Sequence, residues 1–237
     1  MSNCRDHEDP VTTRDFRTKL QSFTVQAVCG RSYILTSKLI QWLQSPVYVD
    51  KAKTTITNCL LDDAYSGSEL GPRVSREDLS GNENRCLLVF AILLELESGH
   101  FIHHFRRHWK FDNKLPFDLH ALKFTFSSIG VDDADSKAEA FYHTQWKYSV
   151  KGFTHGGASI FDKNAVIPIH RKELINKKGG TATLWLIEVL EEFVEERLKE
   201  AVKNSLYEPQ DNLGPASYYL PSHMSAILII YSATNLL

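Results

Sequence analysis

Two sets of residues in this chain have the types and spacing for chemistry. The first is Asn176-Lys-Lys-Gly-Gly-Thr-Ala-Thr183, a glycine-bearing turn between Ile167–Ile175 and Leu184–Val189, both of which read as strands. Paired glycines between two strands let backbone N–H groups approach the phosphates of a nucleotide. Gly179, Gly180 and Thr181 are therefore the candidate nucleotide contacts, through their amides. The second set is His100, His104 and His108, which recur every four residues with Glu97 one turn before. Imidazoles at i and i+4 on one helix face can bind zinc. The plainer reading is a basic helix end, in which histidines and Arg106/Arg107 complement the dipole. No cysteine lies nearby, and no metal site is expected.

Other constellations read as scaffold. Asp132, Asp133 and Asp135 lack the spacing of a calcium loop and read as solvated. Asp62 and Asp63 are adjacent on a predicted helix and point about 100° apart, so they do not share a site. The run His103-His-Phe-Arg-Arg-His-Trp-Lys110 mixes cations with aromatics, as nucleic-acid surfaces do. It is one short cluster on a chain of formal charge −2, so a solvated helix end is preferred and no nucleic-acid partner is expected. There is no Gly-x-Ser-x-Gly elbow, and His155-Gly-Gly157 reads as a plain loop.

The elements that must position these residues suggest an α+β chain. Residues 1–13 read as a disordered tail and 14–130 as a helical region. Residues 141–208 read as a strand-rich module with a closing helix, and 209–237 as a linker and apolar tail. Helices are predicted over Arg14–Cys29, Arg31–Gln44 and Lys51–Leu61 or Tyr65, the last capped by Asp50. Gly67–Asn84 reads as a loop. Cys86–Leu96 is apolar nearly all round, and its pattern continues through Phe101, Ile102 and Phe105, which favours a central helix. Leu115-Pro116 opens a helix to about Phe126, and Ile129–Ala138 reads as a loop. Tyr142–Gly152 is aromatic and β-prone. Glu191–Tyr207 reads as a helix with an ion pair between Glu195 and Lys199. The tail Ala226–Leu237 either covers a sheet edge or invites association.

The 237 residues, 43% of them hydrophobic and 24% charged, suit one or two globular domains. Cys4, Cys29, Cys59 and Cys86 form no CxxC pair, so a reducing compartment is expected. The polar N-terminus lacks a signal peptide's apolar core, and the longest apolar run is too short to span a bilayer. The expected location is cytoplasmic or nuclear, with no membrane partner.

Several segments together resemble a family of fungal protein-kinase-like proteins, in which a helical region precedes a serine/threonine-kinase-type catalytic domain. They are Leu35–Leu43, Leu60–Tyr65, Gly99–Arg107, and Asn176–Trp185 with Glu191–Val194. The resemblance implies a nucleotide-binding small lobe that opens with the 167–189 hairpin, with ATP and magnesium as cofactors. Against the pattern Gly-x-Gly-x-aromatic-Gly-x-Val, Gly180 takes the second glycine. Lys178, Ala182, Thr183 and Trp185 stand at the first-glycine, aromatic, third-glycine and valine positions. No lysine or arginine follows Lys203, and neither His-Arg-Asp nor Asp-Phe-Gly occurs. The expectation is a truncated kinase-like protein without phosphotransfer activity. Two alternatives are a protein-interaction scaffold built on the helical region and the N-terminal part of an active ATP-dependent kinase.

Overall fold

The computed structural model describes residues 10–66, 73–81, 83–154, 162–176, 182–203 and 223–231. The architecture is α+β. Two compact units divide the chain: residues 1–25 with 34–149, and residues 26–33 with 150–237. The predicted tail 1–13 and the linker after 208 fall largely outside the described residues.

The first unit is helical. Helix α1 (Thr13–Ser22) starts at a capping box, in which Thr12 and Asp15 bond each other's backbone amides. Those bonds hold the Asp15 carboxyl below its usual range. The helix stops seven residues short of the predicted Cys29, because Thr24-Val-Gln26 forms strand β1 (Thr24–Gln26) and the Phe23 carbonyl accepts from Leu35 N–H at 2.9 Å. β1 pairs with β2 (Ser32–Ile34), and the division between the units falls inside this ribbon. Helix α2 is therefore Thr36–Leu43, shorter than the 31–44 predicted.

The Asp50 cap is also corrected. Asp50 and Lys51 have φ of 48° and 67° and turn a hairpin between β3 (Pro46–Val49) and β4 (Ala52–Thr55). Helix α3 (Ile56–Tyr65) begins five residues later than predicted, with Thr55 Oγ1 accepting from Asn58 N–H. The predicted 67–84 loop contains α4 (Arg76–Ser80), started by a Ser75/Asp78 capping box.

Helix α5 (Leu87–Glu95) has no polar face, and Leu87 through Leu94 are all buried. An all-apolar helix is stable only where neighbours cover it on every side, and α5 contacts α1, α2, α6 and α8 (Ala134–Gln145). The apolar pattern does continue beyond Leu96, but the helix does not. Glu97 at φ 55° breaks it, and a 3-10 turn at Gly99–Phe101 leads into α6 (Ile102–Arg107). Helix α7 (Leu119–Ile129) is capped by Asp118 and ends at Gly130.

Helix α8 replaces residues 134–138 of the predicted 129–138 loop and the start of the predicted strand at 142. Ala138, Phe141 and Gln145 form its buried face, and Phe141 stacks on Phe105 at 5.0 Å. Buried Gln145 completes the Phe117 backbone, accepting from its N–H at 2.7 Å and donating to its carbonyl at 2.8 Å.

The second unit carries the main sheet. Strands β5 (Ile169–Asn176) and β6 (Ala182–Leu190) are antiparallel, with register shifts near His170 and Ile175. The apolar tail supplies a third strand, β7 (His223–Tyr231), paired to β6 over nine positions from Ala182↔Tyr231 to Leu190↔His223. Of the two expectations for the tail, the described part follows the first: it covers the β6 edge. After β6 come a 3-10 turn and α9 (Glu196–Lys203), in place of one continuous helix. Lys199 Nζ pairs with Glu196 at 3.1 Å. Gly152 lies against the Phe193–Val194 backbone; a Cβ there would sit 2.6 Å from the Phe193 carbonyl oxygen.

Candidate functional site

The sheet of the second unit frames the nucleotide candidates. β5 and β6 run to either side of the glycine turn, but Gly179, Gly180 and Thr181 themselves lie outside the described residues. His155–Gly157 does too. What is described is the meander β5–β6–β7, in which Trp185 on β6 pairs with Leu228 on β7. The third strand reads His223-Met-Ser-Ala-Ile-Leu-Ile-Ile-Tyr231 and contains no lysine.

In the first unit the histidine stripe is broken by the backbone. His100 sits in the 3-10 turn, His104 in α6, and His108 at the residue that ends α6. His108 Nε2 is 2.9 Å from Ser128 Oγ. His103, the residue out of phase, places Nδ1 3.0 Å from the His100 carbonyl. Burial, then the charges of His103, His108, Arg107 and His100, push the His104 imidazole down to about 4. Burial lowers His100 as well, with Lys137 and His103 adding to it. Among the described residues no group of three or more His, Cys, Asp or Glu side chains is placed to hold a metal. Two of the three aspartates pair with different lysines: Asp133 with Lys137 at 3.5 Å and Asp135 with Lys123 at 3.4 Å.

The most chemically equipped concavity lies beside α6. A groove of about 490 Å³ is lined by Arg73, Asp78, His103, Arg106, Arg107 and Trp109, among others. Arg106 Nη1 meets Asp78 Oδ1 at 2.9 Å. The Ser75 hydroxyl, its amide and Arg106 together hold the Asp78 carboxyl below its usual range. Arg73 Nη1 reaches Asp62 at 3.3 Å across an exposed surface, and Arg107 forms no ion pair among the described residues.

Trp109 occupies an unusual place. Its N–H donates to the Arg106 carbonyl at 3.0 Å and Lys110 N–H to the Phe105 carbonyl at 2.9 Å, a Schellman ending for α6. Trp109 is the left-handed residue of that motif, at φ 55°, and is 66% exposed. Sequence reading found the basic run but missed Arg73 and the role of Trp109. The available signal was Ser75-Arg-Glu-Asp78, a helix start that carries Arg73 and Asp78 to the groove.

Behind the groove, Asp112 is almost fully buried. Its Oδ1 accepts from Leu88 N–H at 3.0 Å and Val89 N–H at 3.1 Å, so it caps α5 from a distant loop. Its Oδ2 accepts from Arg85 Nε at 3.1 Å. Burial outweighs these bonds and pushes the carboxyl up to about 6. Cys86 beside it is fully buried, which drives its thiol up to about 12, so it is no nucleophile.

The chain matches no protein-family model, no curated protein and no solved structure. No helix among the described residues is long and apolar enough to cross a membrane.

Proposed function

We propose that the second unit is a kinase-like small lobe that does not transfer phosphoryl groups, joined to a helical region. The observation that carries this reading is the antiparallel β5–β6–β7 meander. A protein-kinase small lobe opens with a glycine-bearing hairpin and follows it with a strand carrying Ala-x-Lys, whose lysine holds the phosphates. Here β7 carries Ala226-Ile227-Leu228, with leucine where that pattern has lysine. Phosphoryl transfer is almost wholly positioning and charge stabilisation. A hairpin followed by a strand without that lysine lacks the group that would hold the phosphates.

The test is magnesium-ATP binding by calorimetry, with radiolabel transfer to peptide and protein acceptors, on the 237-residue protein. Weak or no binding and no transfer are expected. Leu228→Lys is expected to tighten ATP binding several-fold. Transfer of labelled phosphate by the parent chain would overturn the inactive reading. A folded Leu228→Lys protein with unchanged affinity would overturn the correspondence of β7 to the lysine-bearing strand.

A further inference from the structure

The groove beside α6 is unused by the kinase-like reading, and its residues point to a ligand of their own. We propose that it binds a nucleoside phosphate, with the base on Trp109 and the phosphate between Arg73 and Arg107.

The backbone gives the first reason. A bulky residue with positive φ is a genuine outlier and persists where function or surroundings demand it. Burial does not demand it here, because the indole is 66% exposed. Phe111 lies edge-on to its ring at 6.0 Å. The left-handed turn therefore presents an open aromatic face at the groove rather than filling a core.

Charge is the second reason. Arg73, Arg106 and Arg107 face one lining carboxylate, Asp78, so three positive charges less one negative leave a formal excess of two. Asp78 already holds Arg106. Arg107 is free of ion pairs among the described residues, and the exposed Arg73–Asp62 pair is weak enough to yield to phosphate. Guanidinium forks match phosphate oxygens two at a time. This groove repels a cation, and an aliphatic acid would leave the indole unused. A planar base carrying phosphate uses both, as in grooves that pair cations with stacking platforms. The volume of about 490 Å³ lies within the usual range for small-ligand sites. A free mononucleotide and a residue of a single strand share this chemistry.

The test uses the full chain at low salt: equilibrium dialysis with radiolabelled AMP, and fluorescence anisotropy with an end-labelled octathymidylate. Saturable binding is expected, weakened about tenfold by Trp109→Gly and by Arg107→Ala. Trp109→Gly suits the left-handed backbone and Arg107 is exposed, so both variants are expected to fold; unchanged far-ultraviolet circular dichroism checks this. AMP binding with no gain for the octamer identifies a free nucleotide as the ligand; much tighter octamer binding identifies a strand. Three results would overturn the proposal. One is no saturation by either probe. Another is tighter binding of phosphotyrosine than of AMP. The third is AMP affinity unchanged in both variants, which would place the nucleotide elsewhere, at the glycine hairpin for instance, and leave the kinase-like reading standing.

Discussion

The helical unit and the sheet unit store their information differently. The β5–β6 hairpin is specified by neighbours in sequence: a mixed strand and a nearly all-apolar one on either side of a glycine-bearing segment. The helical unit is held by side chains that act far from their own position. Asp112 caps α5 from 24 residues away, and Gln145 completes the Phe117 backbone from 28 residues away. Local specification makes an element easy to read and leaves its chemistry at the turn. Remote specification hides the element boundaries but fixes arginines, an aspartate and a tryptophan around a groove. If this contrast is correct, single substitutions in the helical unit should cost most where a remote side chain serves a helix end.

Asp112→Ala is the most damaging change expected. It leaves Arg85 without its partner and two buried N–H groups at the start of α5 without an acceptor. The Arg85 side chain is 41% exposed and can be solvated, so the main loss is the two unsatisfied buried N–H groups, ~1–3 kcal/mol each. Asp112→Asn keeps an oxygen for the amides and should cost only ~1–2 kcal/mol. Urea unfolding of both variants checks this. Equal losses would mean that charge, not capping, sets the role of Asp112.

In the sheet unit the corresponding weak point is local. Gly152→Ala would place a methyl group 2.6 Å from the Phe193 carbonyl oxygen, a backbone atom that no rotamer change can move. An overpacked site of this kind costs ~1–3 kcal/mol. Thermal unfolding of the variant measures it, and an unchanged midpoint would show that the 152–194 contact is not held in solution.

How much was legible follows the same line. The hairpin and the core helix α5 were readable, because strand-length runs flanking paired glycines and an uninterrupted apolar run need no distant partner. Helix α8 was not. Asp132, Asp133 and Asp135 are turn formers, and Tyr142, Trp146 and Tyr148 favour strands. Burial of Ala138, Phe141 and Gln145 on one face overrides both preferences. Asp50 has the chemistry of a cap, but the chain uses it with Lys51 to turn a hairpin, where Asn-Gly is the usual signal. The groove was invisible as a unit, since Arg73 is separated from Arg106 by all of α4 and α5 and only packing brings them together.

Acid should act on the helical unit in two opposing ways. The His104 imidazole, at about 4 in the folded chain against an ordinary 6.5, resists protonation. Its contribution is present above pH 6.5 and is lost as pH falls toward 4. Asp112, at about 6 against 3.8, does the reverse: its contribution is present below pH 3.8 and is lost as pH rises through 6. The two partly cancel between pH 4 and 6. His104→Gln should remove the acid-sensitive half, leaving a variant relatively more stable at pH 4.5 by about 1 kcal/mol after allowance for solvent screening. Stability measured against pH in parent and variant checks the sign, and a steeper acid loss in the variant would contradict the assignment.

The smallest effects test whether the exposed tryptophan is held for stability at all. Helices α5 and α6 both end in Schellman turns with a side-chain-bearing residue at φ 55°, Glu97 in one and Trp109 in the other, whereas α7 ends with Gly130 at φ 78°. A left-handed non-glycine residue costs ~1–2 kcal/mol, and glycine returns ~0.5–1 kcal/mol of that through chain entropy. Trp109→Gly should therefore stabilise by ~0.5 kcal/mol if the indole packs on little. Glu97→Gly gains the same backbone relief but loses the exposed bond to Arg17 at 2.5 Å, a pair worth ~0.2–1 kcal/mol, so its net change should be near zero. Denaturant midpoints of the two variants, measured together, separate these cases. A loss above ~1 kcal/mol for Trp109→Gly would mean that packing on Phe111 explains the strained turn, and the argument that Trp109 is kept for a ligand would lose its first support.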